Sequence, residues 1–234
     1  MKSSDIDQLK DLYKKLVINV PKNLNQRLCV FFPQIGKNYF DLDDKLLFIG
    51  KSVNGWVTDD LDVEKLFDCK NPDRIVGRDD EIVWVEKSKN PKYYNSNNSA
   101  FWRLVKSIAK KYLEKEDWYN NIVWSNMYKI SPWDGGNPNA KLRKMQSKIC
   151  VDILNKEIEI FNPKFIIFLT SYWETFYLKS IGYNNSENKF IKWDKYETRY
   201  QLFNGRIYIL SQHPQGKKEL PHKNAIINIM KNNI

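Results

Sequence analysis

The chain has 234 residues, with 38 Lys+Arg against 28 Asp+Glu, a formal net charge of +10 with both histidines neutral, 42% hydrophobic and 14% aromatic residues. This composition excludes bulk disorder, which needs low hydrophobicity and few aromatics, and the length suits one globular domain or at most two small ones. No run approaches the eighteen apolar residues of a membrane-spanning helix, and Met1 to Asp5 lacks an apolar signal core, so the expectation is a soluble, cytoplasmic protein with no membrane partner.

Ile6, Leu9, Leu12 and Leu16 fall on one helical face, and Pro21 lies beyond its end. Leu46 to Ile49 is a compact apolar run stopped by Gly50, a buried strand opening into a loop. Residues 51–99 are polar and rich in Asn, Asp and Lys. They read as a long insertion or substrate-facing segment, with short elements at Val63 to Phe67 and Ile82 to Val85.

Phe101, Leu104, Val105, Ile108 and Tyr112 form a helical stripe, and Ile122-Val123-Trp124 a strand ending at Ser125-Asn126. After a loop holding Pro132, Gly135, Gly136 and Pro138, a second stripe runs through Leu142, Met145, Ile149, Ile153 and Leu154 to Asn162-Pro163. Phe165 to Leu169 is a continuous apolar strand released into Thr170-Ser171 and followed by a helix to about Lys179. An Asn-rich connection then leads to a strand at Arg206 to Leu210, a turn at Ser211-Gln212-His213-Pro214, and a last helix from about His222 to Lys231. Strands alternating with helices predict an α/β fold, a three-layer α/β/α sandwich with a mainly parallel central sheet, in one domain over 1–234.

In such sheets ligands bind beyond the carboxyl ends of the strands. The segments to watch are therefore Gly50-Lys51-Ser52, Asn126 to Lys129, Thr170-Ser171 and Gln212-His213-Pro214. His213, in a turn set by Pro214 and Gly216, can donate to a developing anion; His222, near a helix start, reads as a surface or capping residue. The three cysteines, Cys29, Cys69 and Cys150, lie far apart without a CxxC pair, so neither a metal centre nor a disulfide framework is expected. The positive charge points to a polyanionic partner.

Taken together, five segments resemble the uracil-DNA glycosylase superfamily from about Leu46 to the C-terminus. Phe48 to Gly55 is similar to the family's first motif, a strand followed by Gly-x-x and a tight turn. Ser99-Ala100-Phe101-Trp102-Arg103-Leu104 resembles the Asn-x-Phe-Trp-x-x-Leu helix start of the mismatch-specific and single-strand-selective branches. Trp124 to Pro132 is similar to the strand whose Asn reads a pyrimidine edge, Asn162-Pro163-Lys164 precedes an apolar strand as in the family, and Gln212 to Gly216 resembles its His-Pro-Ser motif.

The resemblance implies a cofactor-free DNA glycosylase of base-excision repair, a monomeric hydrolase acting on a damaged or modified pyrimidine flipped out of single- or double-stranded DNA. It implies stacking on Tyr94 (or Tyr93), edge recognition by Asn126, backbone N–H groups from Gly50 and Lys51, and anion stabilisation by His213. Lys129, Lys217 and Lys218 would contact phosphates. The first motif departs from the family, with Ser52 where active relatives carry Asp, Asn or Glu. Ser52 and Asn54 are then the candidates for placing the water, with Asp59 and Asp60 the nearest carboxylates. Ser52 also motivates the alternative, a nucleic-acid-binding protein on the same fold without catalysis. An enzyme of free nucleosides or other small glycosides is a third reading.

Overall fold

The apolar runs around Phe48 and Ile167 become strands buried at every position, as continuous rather than alternating apolar strands are. The computed structural model describes residues 3–21, 26–56, 61–67, 82–89 and 95–233. In chain order the elements are α1 (Ser3–Ile18), β1 (Leu28–Val30), β2 (Gln34–Ile35), β3 (Leu46–Gly50), α2 (Val63–Phe67), α3 (Val83–Lys87), α4 (Ala100–Leu113), β4 (Ile122–Asn126), β5 (Ile130–Pro132), α5 (Ala140–Phe161), β6 (Phe165–Leu169), α6 (Thr175–Ser180), β7 (Lys189–Trp193), β8 (Tyr196–Phe203), β9 (Arg206–Ser211) and α7 (Glu219–Lys231). Where the sequence reads as one domain, contacts group the chain into two compact units, each of three separated segments.

The first unit comprises Met1–Gln34, Lys51–Arg78 and Ser125–Asn162. Leu9, Tyr13 and Leu16 recur at helical spacing on α1 and are fully buried, and α1 packs on α5. Tyr13 donates its hydroxyl to the Phe31 carbonyl at 2.8 Å and packs against Phe32 and Phe67. β1 and β5 pair antiparallel, Cys29 opposite Ser131. α5 starts where Asn139 accepts the Leu142 N–H and ends at Asn162, whose left-handed φ of 43° closes the last turn.

The second unit comprises Ile35–Gly50, Asp79–Trp124 and Pro163–Ile234 and carries the main sheet, ordered β2-β4-β3-β6-β9-β8-β7. β3, β6 and β9 run parallel, while β8 and β7 are antiparallel additions that leave β7 at the edge. The sheet is therefore mixed, a correction to the mainly parallel expectation. The Asn-rich connection before Arg206 holds two further strands, turned by Asp194 (φ 50°) and by Asn204-Gly205 (φ 48° and 74°), a dipeptide suited to a tight hairpin. α4 and α7 pack on each other, α7 also on β7 and β8. Phe101, Trp102, Trp118, Trp84 and Trp124 form an aromatic cluster at the start of α4, which Ser99 caps by accepting the Trp102 N–H. Among the described residues no helix is long and apolar enough to cross a membrane.

Candidate functional site

In the first unit, two loops hold each other. Lys51 accepts the Tyr128 N–H at 3.0 Å, Ser52 donates to Asn137 Oδ1 at 3.2 Å, and the Gly136 N–H donates to Asn54 Oδ1. Gly55 makes this possible: its φ is +84°, and a Cβ there would stand 2.9 Å from the Trp133 carbonyl oxygen. Both candidate water-placing side chains, Ser52 and Asn54, thus brace the 136–137 loop.

Asn126 ends β4 almost fully buried, and its Nδ2 has no hydrogen-bond partner among the described residues. Its carbonyl accepts from Lys129 Nζ at 2.8 Å. Lys129 is completely buried, with Nζ 2.7 Å from Ser125 Oγ and 2.8 Å from the Glu157 carboxylate. This corrects the expectation that Lys129 touches DNA phosphates: a partner reaching from α5 draws the ammonium inward. Burial pushes the Glu157 carboxyl above its usual value, against the pull of Lys129. Gln146 completes the bracing, accepting the Lys129 and Ile130 N–H groups at 3.1 and 2.9 Å and donating to the Ile130 carbonyl at 2.8 Å. Burial also pushes the thiols of Cys29 and Cys150 up to about 12, so both stay protonated and unreactive at neutral pH.

In the second unit, β9 delivers the His-Pro turn. His213 is half-buried, its backbone N–H donates to Ser171 Oγ at 2.7 Å, and its Nδ1 accepts the Gln215 N–H at 3.4 Å. In that contact Nδ1 acts as an acceptor. Gly50 is buried at the end of β3 in this unit, Lys217 is partly exposed and Lys218 exposed.

His222 is no surface residue. It is fully buried, stacks on Trp193 at 4.2 Å and 11°, and has Nε2 2.7 Å from Ser211 Oγ. Ser211 lies 2.7 Å from Thr198 Oγ1, which accepts the Trp193 indole N–H at 2.9 Å. An indole N–H only donates, so the relay that uses every hydroxyl hydrogen runs Trp193, Thr198, Ser211, His222. Burial pushes the His222 pKa down to about 3, helped by Lys217 and His213, so this imidazole is neutral.

The same unit holds a pocket of about 380 Å³ between Tyr172 and the β7–β8 turn, with Gln212 in its wall. Of the segments singled out in the sequence, Gln212 lines this pocket; the hairpin beside it, turned at Asp194, carries no clear alternation, and the Asn204-Gly205 signal marks the next turn, between β8 and β9. Of the remaining candidates, Lys51, Ser52, Asn54 and Asn126 share the first unit, and Tyr93, Tyr94, Asp59 and Asp60 lie outside the described residues. Among the described residues no group of three or more His, Cys, Asp or Glu is placed to hold a metal ion. No protein-family model matches the chain, and no curated protein matches it.

Proposed function

We propose that the protein is a monofunctional DNA glycosylase that hydrolyses the N-glycosidic bond of a damaged or modified pyrimidine flipped out of DNA. The observation that carries this reading is Asn126: its amide is almost fully buried with Nδ2 unpartnered among the described residues, while Lys129 pins the adjacent carbonyl. A buried donor without a partner is costly in a folded protein, and an acceptor on a pyrimidine edge would satisfy it. By the resemblance, His213 is the donor to the base oxygen on which negative charge develops.

In the reaction, water attacks the sugar C1′ and the glycosidic electron pair leaves with the pyrimidine; one water proton stays on the new C1′ hydroxyl and the other passes through solvent to the departing pyrimidine anion. Backbone N–H groups at Gly50 and Lys51 approach the base, Tyr94 stacks on it, and Lys217 and Lys218 meet phosphates, all by the resemblance. The fold in this reading is the family's three-layer sandwich, and the protein is a cytoplasmic, cofactor-free monomer.

The test is incubation of purified protein with oligonucleotides carrying single uracil, mismatched or modified pyrimidines, in single and double strands, followed by alkali to cut abasic sites. Release of at least one base is expected, with His213→Ala lowering its rate about a hundredfold or more. No cleavage across the panel overturns the reading. A second reading, a DNA-binding protein without catalysis, is favoured by Ser52 and Asn54, whose oxygens brace a loop and supply no carboxylate; it predicts salt-dependent DNA binding with no base release.

A further inference from the structure

The pocket beside the β7–β8 turn combines aromatic faces with cations. Tyr172 is 52% exposed, and the Arg199 guanidinium lies 5.8 Å from its ring centroid. Lys217 and Lys195 lie 5.1 and 5.7 Å from the centre of the Tyr196 ring. Lys192 and Lys195 line the opening and are exposed. Among the described residues neither of them, nor Lys217, is ion-paired, whereas the Glu197 carboxylate on the wall is engaged by Arg199 at 2.5 Å. Asp194 at the turn is thus the one lining carboxylate without an ion pair among the described residues, set against two such lysines, Lys192 and Lys195, with Lys217 near the Tyr196 ring.

Two further features bear on ligand binding. Ser171 and Tyr172 are consecutive non-glycine residues at positive φ, 53° and 73°, strain that persists where surrounding structure holds it and that gathers at ligand clamps. Here it presents a large ring at the surface. The volume, about 380 Å³, lies in the range of pockets that take small ligands. Aromatic faces for stacking, with cations beside them, are the recognition chemistry of a nucleic-acid strand.

We propose that this pocket holds one nucleotide of a nucleic-acid strand, its phosphate against Lys192, Lys195 and Lys217 and its base against Tyr172. The inference rests on the DNA-directed reading above and adds a strand contact. Gln212 in the pocket wall directly precedes His213, so the site follows the same strand end.

The test is fluorescence anisotropy of the full chain with a labelled single-stranded oligothymidylate over a salt series, with dextran sulfate as a polyanion lacking bases. Tyr172→Ala is expected to weaken oligonucleotide binding about tenfold while leaving dextran sulfate unaffected. Lys192→Ala with Lys195→Ala should lower the salt slope by about 1 to 1.5. All three side chains lie at the surface; Tyr172→Leu and Lys192→Glu, checked by thermal melting, are second variants with the same expected direction. Wild-type affinity in the Tyr172 variants, or equal losses toward dextran sulfate, overturns the nucleotide site. Base release by the wild type decides the glycosylase reading separately. Release that persists when pocket variants bind normally would sink this inference alone, and pocket-dependent binding without release on any substrate would sink the other alone.

Discussion

Beyond β4 in the first unit, the polar side chains turn inward: Ser125, Lys129, Gln146 and Glu157 are all fully buried and bonded to one another or to backbone. Beyond β9 in the second unit, they are sorted: Ser211 and His222 go inside, while His213 and Lys217 stay partly open. The first region leaves the Asn126 amide nitrogen without a partner among the described residues, and the second carries His213 on its partly open side. Residue type alone does not fix environment. A lysine follows a carboxylate inward when hydrogen bonds complete the pair, and a histidine goes inside when an indole face and a hydroxyl receive it.

The largest effect is expected from Glu157→Gln, which strands the buried Lys129 ammonium. A loss of about 3–5 kcal/mol is expected from urea unfolding, whereas Lys129→Met combined with Glu157→Leu should be neutral or stabilising. A single variant as stable as wild type would mean the pair is not buried.

Acid should next act through the buried His222. The unfolded chain protonates His222 near pH 6.5, whereas the folded chain resists until about 3, so its contribution is intact above 6.5 and declines as pH falls between these values. The slope from this group is about 1.4 kcal/mol per pH unit. Carboxyls held low by their partners, such as Glu86 at about 2, add losses only below the usual carboxylate range. His222→Phe should therefore flatten the stability profile between pH 6.5 and 4.5, and a profile unchanged in that window would remove His222 from the buried relay. The smallest effect belongs to Glu64, an exposed carboxylate between Lys10 and Lys14. Glu64→Gln should leave the unfolding midpoint unmoved, because water screens such pairs.

Much of this architecture is legible in the apolar spacing. α1, α4 and α5 follow their 3.6-residue stripes, and β3, β6 and β9 their continuous runs. The last helix begins at Glu219, earlier than His222, because Pro221 is tolerated in a first turn where backbone N–H groups lack helical partners. β7 and β8 escape that reading because exposed Lys189, Phe190 and Lys192 dilute the hydrophobic pattern, although Asn204-Gly205 carries the turn signal. At the site, the turn around His213 is visible from Pro214 and Gly216. The burial of Lys129 is not, since Glu157 stands 28 residues further on. His222 is hidden for the same reason: Trp193 and Ser211 reach it from different strands.

The position of β7 at the sheet margin has a consequence for solution behaviour. An edge strand offers unpaired backbone groups to any similar strand, and outward lysines are a common guard against such docking. Lys189 and Lys192 stand on that border beside Phe190, which is 54% exposed. Charge at this margin therefore also guards against self-association, and neutralising both lysines is expected to promote edge-to-edge stacking as concentration rises.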